Sequence, residues 1–305
     1  MRPLLSLFGA DPSLDHQHPF ETSWCLPPLV LAGYRAIVAI YIFFCIFFIF
    51  GWYATHDEDA TIGQSFSYFT WLNFWGMGFY FLVASIHTFV YAAIGRSAIF
   101  NKLPRAFIGL HSLFYTCVTT FPFLVVIIFW AILYSGSWYT YWFGAWSNIS
   151  QHGLIGFYAL LEVFLTTTPP HPLLHLAFLI LLLLLYLALA YLTHKTEGFY
   201  TYSFLDPGNR GQHSGKVAGY AFAILAAIIV IFAVTWFLIW SRRKLTGGRI
   251  KRARKDRELV YSNQRGRLGR RRGMRSDPVK RFSLDRVIYF QFLGLFRKFC
   301  GGFGF

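Results

Sequence analysis

The chain has 305 residues, of which 56% are hydrophobic, 21% aromatic and only 13% charged, with a formal net charge of +15. That balance excludes an ordinary soluble domain. It predicts an all-α integral membrane protein, because a helix of about 20 mainly apolar residues crosses a bilayer core of roughly 30 Å and several windows reach that length.

Six windows qualify: 29–53, 66–93, 110–134, 149–165, 173–193 and 217–240. Continuous runs such as "LILLLLLYLALA" at 179–190 lack the alternation of a membrane barrel strand, so the expected architecture is a bundle of six transmembrane helices. Around it the chain divides into an N-terminal cytoplasmic segment (1–28), the transmembrane domain (29–240) and a basic, largely disordered C-terminal tail (241–305).

The start, "MRPLLSLFGADPSLD", has only a short apolar patch, so no signal peptide is expected and the first helix directs insertion. The loop after it carries Asp57, Glu58 and Asp59 without a Lys or Arg. The second window opens on a polar cluster, "GQSFSYFTWLNFWGMG", in which Thr70 and Asn73 share a helix face. A lone Thr in a membrane helix ordinarily returns its hydroxyl to the carbonyl one turn earlier. Arg96, Lys102 and Arg105 follow this window.

The fourth window is the shortest and most polar, which suits a helix enclosed by the others. On a helix of 100° per residue, Asn148, His152, Ile155, Ala159 and Glu162 form one stripe that should face the bundle interior or a cavity. His152 and Glu162 stand about 15 Å apart on that helix, too far for a hydrogen bond, so Glu162 pairs with another helix or sits at the membrane boundary beside Thr166, Thr167 and Thr168.

His87, His111, His171, His175 and His194 lie near helix ends, where a neutral imidazole needs no special role. His171 and His175 have a metal-compatible spacing, but Pro172 intervenes and no carboxylate is near, so no metal is expected. No helix carries two interior histidines to hold stacked haems, and the expected cofactor set is empty. Lys195, Arg210 and Lys216 occupy the loop before the last window, whose start has a GxxxG at Gly215 and Gly219 that hints at close helix packing.

From residue 241 onward there are 20 Lys and Arg against 4 Asp and Glu, while the first 240 residues hold 8 against 9. The tail therefore carries all the excess positive charge and marks the cytoplasmic side, with the N-terminus beside it if the helices number six. Its expected partner is the bilayer itself, through anionic lipid headgroups at about 1 kcal/mol per basic residue. No zinc pattern or RNA-binding signature accompanies it, so no nucleic acid is expected. The last stretch, 282–305, is apolar and aromatic again, broken by Arg286, Arg297 and Lys298, as in a segment lying on the membrane surface. Cys25, Cys45, Cys117 and Cys300 are scattered and suggest neither disulfides nor zinc.

Motifs of the common soluble enzymes, GxSxG, HExxH and GxxxxGK[ST], are absent. Three stretches, "SYFTWLN", "WSNISQHGLIGFYALLE" and "HKTEGFYTYSFLDPG", resemble in order and spacing the androgen-induced family of transmembrane threonine hydrolases. "NISQH" and "YSFLDPG" are also similar to the rolling stone family of membrane proteins. The resemblance covers about residues 61–240.

It implies a six-helix enzyme of the endoplasmic reticulum or plasma membrane that cleaves fatty acid esters of hydroxy fatty acids. By motif, the family's Thr nucleophile falls on Thr70 and its His on His152, with Glu162 on the acidic position. A Thr hydroxyl needs a base within about 3 Å to take its proton, and a His with a pKa near 6.5 can serve at neutral pH. Asn148, one turn from His152, is a candidate to orient the imidazole or donate to the oxyanion. The rolling stone likeness implies instead a non-enzymatic role in cell-surface or membrane organisation.

Overall fold

A computed structural model describes residues 6–56, 59–94, 103–134, 136 and 138–272, and their side chains except at 16, 59, 60 and 248–272. The loop residues Asp57, Glu58, Arg96 and Lys102 and the stretch 282–305, with Cys300, lie outside the described residues. The chain divides into two units, Met1–Lys251 and Arg252–Phe305, and the tertiary contacts of the bundle fall in the first.

Its elements are α1 (Pro28–Thr55), α2 (Asp59–Ser65), α3 (Phe69–Ile94), α4 (Arg105–Val118), α5 (Phe121–Ile128), α6 (Trp142–Ile149), α7 (Ile155–Leu165), α8 (Leu174–Glu197) and α9 (Ser214–Arg272). A π turn, Phe129–Leu133, prolongs α5, and another, Ser150–Leu154, joins α6 to α7. Among the described residues the only β pairing is an isolated bridge between Ser23 and Thr166.

Among the described residues five segments are long and apolar enough to cross a membrane: Pro28–Thr55, Phe69–Ile94, Arg105–Leu133, Leu174–Glu197 and Ser214–Gly247. The protein is thus a multi-pass membrane protein, with each of these segments overlying a window expected from the sequence. The remaining window, 149–165, is helical and begins earlier, at Trp142. Its polar residues keep it out of the apolar set.

That segment nevertheless runs antiparallel along α1. Phe143 stacks on Trp52 at 4.4 Å, Trp146 meets Phe48 at 5.3 Å, Ser150 bonds Tyr41 at 2.8 Å, and Glu162 pairs with Arg35. Residues 143–162 therefore keep company with α1 over most of its length.

Residues 241–272 continue α9, and the rest of the tail lies outside the described residues. Arg, Lys, Gln, Glu and Leu are good helix formers and the first Pro after the span is Pro278, whereas Gly247 and Gly248 weaken the helix without breaking it.

In α1 the buried residues Leu31, Arg35, Val38, Ile42, Cys45, Ile46 and Ile49 recur at helical spacing, whereas Ile37, Ile40, Phe44 and Phe47 on the other side are exposed. Both faces are apolar, as expected of a helix with protein on one side and lipid on the other. Close approach requires small residues. A Cβ on Gly78 of α3 would come within 3.1 Å of Ile42 and 3.2 Å of Phe43, and one on Gly156 of α7 within 3.0 Å of Val126. Gly215 and Gly219 behave differently: neither has a heavy atom within 4 Å of its Cβ position, so the GxxxG packs against no helix among the described residues.

The N-terminal segment folds against the end of α7. Ser23 Oγ donates to the Leu165 carbonyl at 2.5 Å, the Trp24 indole to the Phe164 carbonyl at 2.6 Å, and Thr167 N to the Thr22 carbonyl at 3.0 Å. Arg105 and Asp15 form an ion pair across the same end.

Candidate active site

A cavity of about 390 Å³ opens between α3, α5, α8, α9 and the 202–205 turn. Its wall is almost wholly Leu, Ile, Val, Ala and Phe; the polar side chains lining it are Thr70, Tyr186 and Tyr202. Leu184 and Phe222, also in the wall, are 58% and 70% exposed, so the cavity reaches the apolar flank of the bundle. An apolar chamber with a few convergent polar groups is the usual form of a small-molecule site.

Thr70 stands in the first turn of α3 and is buried. Thr88, Thr116, Thr120 and Thr235 each return the hydroxyl to the carbonyl four residues back. Among the described residues Thr70 makes no such bond, since the residue four back, Phe66, precedes α3; its side chain lines the cavity together with Tyr202. The ordinary role of a membrane Thr is therefore not the one seen here.

Tyr202 is held by aromatic neighbours, Phe204 stacked at 5.1 Å and Tyr68 edge-on at 5.7 Å, and its hydroxyl also adjoins Tyr186. The Tyr186 hydroxyl donates to the Ser67 carbonyl at 3.1 Å. Burial pushes the Tyr202 phenol above its ordinary value, so it remains a protonated donor near neutrality.

His152 lies in the π turn between α6 and α7, a widened turn of the kind often found at functional sites. Its Nδ1 is 3.2 Å from the Asn148 main-chain oxygen. A carbonyl can only accept, so Nδ1 carries the hydrogen and Nε2 keeps its lone pair, the tautomer a general base requires. The Trp130 indole donates to the His152 carbonyl at 2.7 Å, and the imidazole stacks on Phe129 at 3.6 Å. Phe129 lines the cavity from its other π turn. No hydrogen bond joins Thr70 to His152 among the described residues; Phe129 is the link, at once a wall of the Thr70 cavity and the lid on the imidazole.

Asn148 orients that imidazole through its main chain, while its side-chain amide donates to the Gly144 carbonyl at 2.9 Å. Glu162 lies elsewhere. It is fully buried against Arg35, whose Nη2 and Nε donate to its two oxygens, and it accepts from the Tyr80 hydroxyl at 2.9 Å. Arg35 also donates to the Phe20 carbonyl at 2.7 Å and to Thr88 Oγ1 at 2.5 Å. A carboxylate with those partners is a tie between helices, and the partner expected on another helix is Arg35.

The same end of the bundle buries Arg242, which donates to the Val163 and Thr168 carbonyls. His87, His111, His171 and His175, expected at the interface, are buried too, because the N-terminal segment and the 166–173 connection cover these helix ends. His171 contacts Thr116 and Thr119 Oγ1 at 3.2 Å each. Among the described residues no group of three His, Cys, Asp or Glu side chains could hold a metal.

Sequence reasoning missed Arg35, Tyr186 and Tyr202. A signal existed for the first: a single Arg within an apolar window, with a single Glu in another, implies that the two meet. Tyr202 opens the quoted motif "YSFLDPG", which marked the stretch without singling out the residue, and for Tyr186 there was no signal, since Tyr is common throughout this chain.

The fold and cavity define a multi-pass helical membrane protein with an apolar chamber among its helices. Residues 34–238 match the family described as FAR-17a/AIG1-like protein. The chain belongs to that family, the androgen-induced gene 1 family, and the match reaches back into α1 to include Arg35. No curated protein and no solved structure shows significant similarity to it.

Proposed function

We propose that this protein is a lipid ester hydrolase that cleaves fatty acid esters of hydroxy fatty acids, with Thr70 as nucleophile and His152 as general base. The observation that carries the reading is Thr70 itself, a buried hydroxyl in the first turn of α3 that lines an apolar cavity opening on the side of the bundle. Two acyl chains partition into lipid, enter past Leu184 and Phe222, and bring the ester to the hydroxyl end of the chamber. Family membership supports the same assignment.

In this mechanism Thr70 Oγ1 attacks the ester carbonyl as His152 Nε2 takes its proton, and the imidazolium then protonates the departing hydroxy fatty acid. Water hydrolyses the acyl-threonine. Proton transfer needs Nε2 within hydrogen-bond reach of Oγ1, directly or through one water. Rotation of the Phe129 ring opens that path.

The segment 142–165 serves as a sixth span, supported by its antiparallel run along α1. The termini then share one side, the cytoplasm, with the basic residues after 241 against anionic headgroups of the endoplasmic reticulum or plasma membrane. The test is labelling of membranes by a fluorophosphonate probe together with hydrolysis of a fatty acid ester of a hydroxy fatty acid. Wild type is expected to label and turn over, Thr70→Ser to retain part of both, and Thr70→Ala to lose both. Equal labelling and hydrolysis by Thr70→Ala would overturn the assignment, and a wild type inert in both assays would leave a non-enzymatic membrane role.

A further inference from the structure

Two hydroxyls besides Thr70 line the cavity, those of Tyr186 and Tyr202. Tyr202 sits in a turn that follows α8, more than a hundred residues from Thr70 in sequence, yet both line the same cavity, beside Phe69 at the start of α3. The first-turn amides of a helix have no intrahelical acceptor, and the helix dipole is positive there. Phe204, Tyr68 and Tyr186 surround the ring and fix its direction.

An ester attacked by Thr70 must place its carbonyl oxygen close to the attacking hydroxyl. As the new bond forms, the carbonyl π pair moves onto that oxygen as negative charge. In a chamber lined otherwise by hydrocarbon, this charge needs a fixed donor. Among the cavity-lining side chains only Tyr186 and Tyr202 can donate besides the nucleophile. Tyr186 already spends its proton on the Ser67 carbonyl.

We propose that Tyr202 is a catalytic residue, the hydrogen-bond donor to the tetrahedral oxyanion formed at Thr70, assisted by the positive end of α3. The inference rests on the hydrolase reading. In the step it describes, the Thr70 Oγ1–carbon bond forms, the Thr70 proton passes to His152, and the oxyanion accepts from the Tyr202 hydroxyl. Collapse re-forms the carbonyl, breaks the carbon–alkoxy bond, and gives the His152 proton to the leaving alcohol. Tyr202 keeps its proton throughout.

The experiment compares full-length wild type, Tyr202→Phe, Tyr186→Phe and Thr70→Ala in vesicles, with hydrolysis of a fatty acid ester of a hydroxy fatty acid and thermal unfolding measured on each. Removing one oxyanion donor costs about 10²- to 10³-fold in kcat. Tyr202→Phe is expected to show that loss with KM and unfolding temperature close to wild type, since only a hydroxyl is removed. Tyr186→Phe, whose hydroxyl serves a main-chain carbonyl, is expected to lose less than tenfold. A Tyr202→Phe variant with wild-type kcat, beside an inactive Thr70→Ala, would overturn the Tyr202 role and spare the hydrolase reading. Were Tyr202→Phe to fall only in proportion to lost folded protein, the residue would be structural and the proposal would fail. Activity surviving in Thr70→Ala would remove both.

Discussion

Arg35 and Glu162, 127 residues apart in sequence, meet in a fully buried ion pair that joins α1 to α7 and is completed by Tyr80 and Thr88 of α3. Two charges of opposite sign share a site from which water is excluded, with most of their donors and acceptors satisfied. Losing either partner strands a buried charge.

Arg35→Met is therefore expected to destabilise the protein by about 3–5 kcal/mol, and the double variant Arg35→Met with Glu162→Leu to recover most of that loss, because a packed apolar pair replaces the ion pair at little cost. Thermal unfolding in detergent reads both. A single variant as stable as wild type would contradict the structural role given to the pair.

His152→Ala is expected to lower ester hydrolysis by about 10²- to 10⁴-fold, the usual contribution of a general base, while leaving unfolding temperature within a few degrees. The imidazole is half-buried and tied through Nδ1 only, so its loss removes one hydrogen bond. Undiminished hydrolysis by this variant would remove His152 from the mechanism.

The chamber's shape gives a specificity prediction. Ala221 lines it, and Ala221→Phe puts a ring into the space for acyl chain. The ratio of turnover on long-chain to short-chain esters is expected to fall at least tenfold, with short-chain turnover retained. A parallel loss on both would mean that the cavity does not hold the chain.

Acid stability follows from His171, outside the spans, whose pKa is pushed down from 6.5 to about 3 by burial first and then by the charges of His175 and Arg242. Below pH 6.5 the unfolded chain takes a proton that the folded imidazole refuses, so this contribution to stability is complete above 6.5 and is lost as pH falls toward 3. The slope is about 1.4 kcal/mol per pH unit, or about 2 kcal/mol by pH 5. Unfolding temperatures at pH 7.5 and 5 should converge more in His171→Gln than in wild type. An unchanged gap would assign the acid sensitivity to other groups.

The spans were legible because hydropathy is a property of consecutive residues: the continuous run at 179–190 must be helical in lipid whatever its neighbours do. Thr70 and His152 were legible only through short motifs, and the sequence could not say what each touches. The stripe drawn through Asn148, His152 and Glu162 assumed an unbroken α-helix. The π turn at Ser150–Leu154 inserts between them, and Glu162 belongs to the Arg35 pair while His152 faces Phe129.

By itself the sequence determined that the chain inserts, where its helices run, and that polar groups within them need partners, since each follows from the cost of moving local groups from water into hydrocarbon. The tertiary structure alone decided which partners those are. Arg35 meets Glu162, Tyr202 and Thr70 line one cavity, and that cavity stays open between α8 and α9 because of how remote helix faces pack, and packing is fixed by shape between segments rather than by order within one.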